Sequence, residues 1–92
     1  MDLQKIYLQK KKFATRNVGN EMVLVAIKNN IAEMNELLTL NELGRFIWNN
    51  INESNSEQEI VKAVINEFDV DEDTAIKDVH EFLVQLELAM WK

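Results

Sequence analysis

The stretch LTLNELGRFIW, residues 38–48, changes its hydrophobic period in the middle, and the fold turns on that change. Up to Leu40 the chain reads as strand. Asn41 is suited to cap a helix, and Leu43, Phe46, Ile47 and Ile51 then recur at helical spacing. Sheet is expected before residue 41 and helix after it, an α+β order.

Upstream of this point, Ile31–Leu40 reads as a third strand broken near Asn35, entered through a tight turn at Asn29-Asn30, because Asn tolerates the left-handed region. Met22–Ile27 is a β-rich run apolar on both faces. Gly19-Asn20 is a two-residue hairpin loop, and Phe13–Val18 alternates in polarity. The last two runs should pair antiparallel, giving a small N-terminal antiparallel sheet of three or four strands. So small a sheet needs a helical layer over its apolar face.

Downstream, three helices supply that layer, over about 42–51, 57–68 and 72–88. Ser56 and Glu59 have the spacing of a capping box, and Ile60, Val61, Val64, Ile65 and Phe68 form the stripe that follows. Asp71 caps the last helix, Val70 staples onto Ala75, and Glu72 and Asp73 sit at the positive end of its dipole. Ala75, Ile76, Val79, Phe82, Leu83 and Leu86 then repeat at three and four. The second and third helices read as a helix-turn-helix, so the whole is winged helix-turn-helix-like.

The chain has 92 residues, 10.8 kDa and 47% hydrophobic side chains, enough for a single domain over 1–92, with residues 1–9 as a flexible lead-in. It has no Cys and a single His, His80, which removes thiolate metal sites, cysteine nucleophiles and paired imidazoles. An enzyme is not expected, nor any cofactor or metal. Residues 1–28 hold six bases against two acids, net +4, and the remainder four bases against fourteen acids, net −10. The last helix is acidic, the opposite of a groove-reading helix, so no nucleic-acid partner is expected. Lys10, Lys11 and Lys12 read as a solvated strand lead-in. No apolar run is long enough for a membrane span and no secretory segment opens the chain, so the expected location is cytoplasmic, with no membrane partner.

Two features of the last helix are left over. Asp78, on the flank near Phe82, either caps a loop amide or contacts a ligand. Val84, Leu88 and Trp91 fall on the side away from Val79, which suggests either a partner surface or a helix that ends early and folds its tail back.

Several ordered blocks resemble the PqqD-like family, the peptide-binding proteins also called RiPP recognition elements. Arg16 follows Phe13; Leu40-Asn41-Glu42 with Gly44, Ile47 and Trp48 is similar to the family's L-N-E-x-G-x-x-I/L-W block. Glu67-Phe68-Asp69-Val70-Asp71 resembles its E-Y-D-V-D segment, and Asp78-Val79 with Phe82-Leu83 and Leu86 its D-V-x-x-F-L-x-x-L helix. Leu43 stands where Thr is common, and the tail Ala89-Met90-Trp91 lacks the usual Gly. The resemblance implies three strands packed on three helices. It also implies a non-catalytic peptide chaperone that captures the leader segment of a ribosomally made precursor by β-strand addition and presents it to a modifying enzyme, often a radical SAM enzyme. The implied groove runs between the third strand and the last helix, with Ile31, Met34, Leu37, Leu38, Thr39, Ile76, Val79, His80 and Leu83 as the peptide-binding residues. The alternative is a stand-alone protein–protein interaction module of the same fold with no leader-peptide ligand.

Overall fold

The computed structural model describes residues 2–28 and 31–90, with side chains described for 2–27 and 38–89. The order is α1 (Leu3–Gln9), a 3-10 turn (Lys10–Lys12), β1 (Phe13–Val18), β2 (Glu21–Lys28), β3 (Ile31–Leu40), α2 (Glu42–Asn50), α3 (Glu57–Phe68) and α4 (Glu72–Met90). The strands form one antiparallel sheet in the order β1-β2-β3, so both β1 and β3 are edges. This is the expected α+β architecture, with an additional helix at its start. The Asn29-Asn30 turn lies outside the described residues. No helix among them is long and apolar enough to cross a membrane.

The hairpin loop sets the parity of the sheet. Gly19 has φ +61°, the left-handed value that the first position of a two-residue loop requires, and Val18 faces Glu21 across it. Counting by twos from that pair sends Met22, Leu24 and Ala26 to one face, where all three are buried. Leu38 and Leu40 lie opposite Leu24 and Met22 and share that face. The β3 register then steps from Val25↔Leu37 to Ala26↔Glu33, leaving residues 34–36 without partners. This irregularity falls where the strand is expected to break, and it lets β3 continue on the same edge with its alternation reset.

The helices pack on the face of Met22, Leu24 and Leu40, in a core that includes Ile47, Trp48, Ile51, Ile60, Val64, Ala75, Val79, Leu83 and Leu86. Their ends carry local stops. The Asn41 side chain accepts from the Gly44 amide at 2.8 Å, opening α2. Ser56 and Glu59 exchange both capping-box bonds at the start of α3. Asp69 ends α3 in the left-handed conformation, φ 52°, and the Asp71 carboxylate accepts from the Thr74 amide at 2.7 Å, opening α4. Phe46 and Phe68 pack edge to face at 5.3 Å between centroids and join α2 to α3.

The N-terminal segment departs from expectation twice. Residues 3–9 form a helix, capped by the Asp2 carboxylate, whose Ile6 is wholly buried in the core with Leu3 and Tyr7 packed around it. Lys10 is not a solvated lead-in. Its ammonium donates 2.8 Å bonds to the carbonyls of Trp48 and Ile51 at the end of α2, the first of which also accepts from the Ile51 amide, and it lies 5.2 Å from the Trp48 ring centroid. Burial pushes this ammonium below the ordinary lysine value. Lys11 and Lys12 are exposed, as expected.

Truncating Lys10 to Ala removes two charge-assisted bonds from a half-exposed site, and a loss of about 1 kcal/mol is expected as a lower urea midpoint. An unchanged midpoint would show the contact to be idle. The Asp71 carboxyl is held below the ordinary aspartate value by its bonds to the Thr74 side chain and amide. A depressed value in the folded chain means stabilisation that is present above the ordinary carboxyl range and fades as pH falls through the folded value. Protection of the Thr74 amide, measured against its intrinsic exchange rate, should therefore fall at acid pH, and Asp71→Asn, which keeps a capping oxygen without the titration, should abolish that dependence.

Candidate functional site

Where β3 meets α4 the two elements leave a cleft of about 210 Å³, lined by Leu38, Thr39, Leu40, Asn41, Phe82, Gln85, Leu86 and Ala89. Leu40 and Leu86 are core residues that form its floor. Leu38, Phe82 and Ala89 are half-buried walls, and Thr39, Asn41 and Gln85 form a polar but uncharged rim.

Parity decides what the strand presents. Val18 and Glu21 flank a two-residue loop and so form a hydrogen-bonded pair, which turns Val23 and Val25 toward β1 and Met22 and Leu24 toward β3. The backbones of Leu38 and Leu40 are thereby spent on β2, while those of Leu37 and Thr39 point away from the sheet. A free edge next to an apolar cleft can bind an extended chain, with main-chain bonds on one side and side-chain pockets on the other.

A methyl group on Gly44 would stand 2.9 Å from Phe82 Cε1, 3.2 Å from Leu40 Cβ and 3.3 Å from Asn41 Oδ1. Phe82 therefore stands beside Leu40 and Asn41, where α4 approaches the first turn of α2. The stripe Phe82, Gln85, Leu86, Ala89 is the C-terminal half of α4.

Against the expected peptide-binding residues the result is divided. Leu38 and Thr39 lie in the cleft. The side chains of Ile31, Met34 and Leu37 lie outside those described. Val79 and Leu83 are wholly buried in the core and have no surface to offer. Ile76 and His80 are exposed, but at 100° per residue they stand about 120° and 160° around α4 from Phe82, on the other flank. There His80 Nδ1 lies 3.3 Å from Glu57 Oε1 of α3. The α4 residues that line this cleft are Phe82, Gln85, Leu86 and Ala89. Of the leftover patch, Leu88 is exposed and Val84 half-buried, Trp91 lies outside the described residues, and α4 continues through Met90 without ending early. Among the described residues no three His, Cys, Asp or Glu gather as a metal site.

Residues 21–91 match the family model described as coenzyme PQQ synthesis protein D, PqqD. The chain belongs to the PqqD family. A solved structure of TbiB1 in complex with the TbiA(beta) leader peptide has the same fold, with a TM-score of 0.65, 26% identity and 83% of each chain covered. No curated protein matches the chain. The PqqD match begins at β2, so α1 and β1 precede it, and both walls of the cleft lie inside it.

Gly44→Ala tests the joint between α2 and α4. Helix propensity alone favours Ala by about 1 kcal/mol, but the new methyl meets a ring held by the core. The variant should melt below the parent, and Phe82→Leu in that background should recover part of the loss. A melting point above the parent's would show that the ring moves aside freely.

Proposed function

We propose that this PqqD-family chain is a non-catalytic peptide chaperone, which takes the leader segment of a ribosomally made precursor as an added strand on β3 and presents it to a modifying enzyme. The observation that carries this is the pairing of outward backbone groups at Leu37 and Thr39 with an uncharged apolar cleft along the same edge. The TbiA(beta) leader peptide bound to TbiB1 supports a ligand of the same kind. Strand addition explains how binding proceeds without catalytic residues: the backbone pairs with any extended sequence, and Leu38, Phe82, Gln85 and Ala89 select its side chains. The enzyme served is a radical SAM protein or another peptide-modifying catalyst, and the work is done in the cytoplasm, where precursors are made. Nothing in the chain assigns it to one particular product.

Titration with the leader of a precursor encoded beside this chain's gene should move the amides of Thr39, Phe82, Gln85 and Ala89. Thr39→Pro removes one outward amide and spares the β2 ladder, so it should weaken binding at least tenfold while the far-ultraviolet spectrum is retained. Shifts confined to Val84 and Leu88 would instead favour an interaction module with another face.

A further inference from the structure

The outer edge of β3 is short. Leu37 and Thr39 turn their backbone groups away from β2, and each offers one N–H and one carbonyl to an added strand. Toward α2 the next outward position is Asn41, whose carbonyl already accepts from the Arg45 amide at 2.8 Å inside that helix. In the other direction the run meets Met34-Asn35-Glu36. Val25 faces Leu37 and Ala26 faces Glu33, so one step of β2, about 3.4 Å, is matched by four steps of β3, about 13 Å of extended chain. The inserted residues must therefore leave the line of the edge, and outward groups in ladder phase resume only at Ala32, which faces Ile27. The described strand wall of the cleft, Leu38 to Asn41, lies along the same short window.

We propose that the insertion Met34-Asn35-Glu36 is a register stop, which limits the leader to two outward residues of β3 and thereby fixes which of its side chains meets the cleft. Backbone pairing is blind to sequence, so a long uniform edge accepts an extended peptide at any shift of two residues that keeps the same faces. A stop removes that freedom. With Leu37 and Thr39 alone in phase, a shift of two residues toward the insertion gives up half of the main-chain bonds, and a shift toward Asn41 meets a carbonyl already used. The recognised ligand is therefore a short extended segment in which two N–H groups, two residues apart, donate to the carbonyls of Leu37 and Thr39, whether it runs parallel or antiparallel. Its apolar side chain in the cleft then stands at a fixed place relative to those two amides.

This rests on the peptide-capture function, and an N-methyl scan of the leader encoded beside this chain's gene, read by calorimetry, separates the two. Against the parent, N-methylation should weaken binding at least tenfold at two positions, two residues apart, and less than twofold elsewhere in the segment. Deleting residues 34–36 joins Glu33 to Leu37 and makes the ladder with β2 continuous without altering any existing pair, which brings Ala32 into phase as a third outward residue. Against that variant a third sensitive position should appear, two residues beyond the first two. Three or more sensitive positions in the parent, or a folded deletion variant that keeps the parent's two, overturns the register stop and leaves peptide capture standing. Where the deletion variant does not fold, the parent's scan decides alone, two positions supporting the stop and any other number overturning it. A leader that does not bind overturns both.

Discussion

The closure of the Gly19-Asn20 hairpin is the constraint on which the rest of the molecule depends. Once Val18 and Glu21 are paired, alternation determines the face of every residue in β1 and β2, and through Met22↔Leu40 it determines β3 as well. A slip of one residue would turn Met22 and Leu24 to solvent and leave the helices without a floor. The same count fixes which amides of β3 face outward. The core face and the outward edge of β3 are thus two consequences of one register.

The helices were legible because their boundaries are written locally. Ser56 and Glu59, Asn41, and Asp71 each satisfy a first-turn amide with a side chain three residues away, a pattern that needs no tertiary knowledge. α1 was harder to see because it is seven residues long and its Lys5 and flanking Gln residues mask the stripe. The signal was there in Asp2 as a cap, followed by Leu3, Ile6 and Tyr7 at helical spacing. The role of Lys10 could not be seen at all, since its partners lie 38 and 41 residues away in sequence.

The site was half legible for a related reason. Alternation locates Leu38 and Thr39 on an edge strand, but a helical stripe gives only the centre of the buried face. That centre, Val79 and Leu83, is the worst place for a ligand, because the core consumes it. The cleft lies beside that centre, and its α4 wall is Phe82, Gln85 and Ala89. Gly44 held the clue: a residue without a side chain in the first turn of a helix marks a close approach, here by the Phe82 ring.

The size of the cleft bears on what can occupy it. Pockets that enclose a small molecule run to about 300–1,000 Å³, and protein–protein interfaces bury about 800 Å² on each side. At about 210 Å³ and lined along a strand edge, this cleft is smaller than such small-molecule pockets. It suits one or two side chains of a chain whose backbone is held elsewhere, and the outward amides of Leu37 and Thr39 lie where that backbone would run. Each such bond contributes only about 1 kcal/mol net, so an extended segment gains affinity by pairing over several residues and selectivity from the few side chains that reach the cleft. A binding surface built this way tolerates wide variation in its ligand and needs no reactive group, which is what a chain with one histidine and no cysteine can provide.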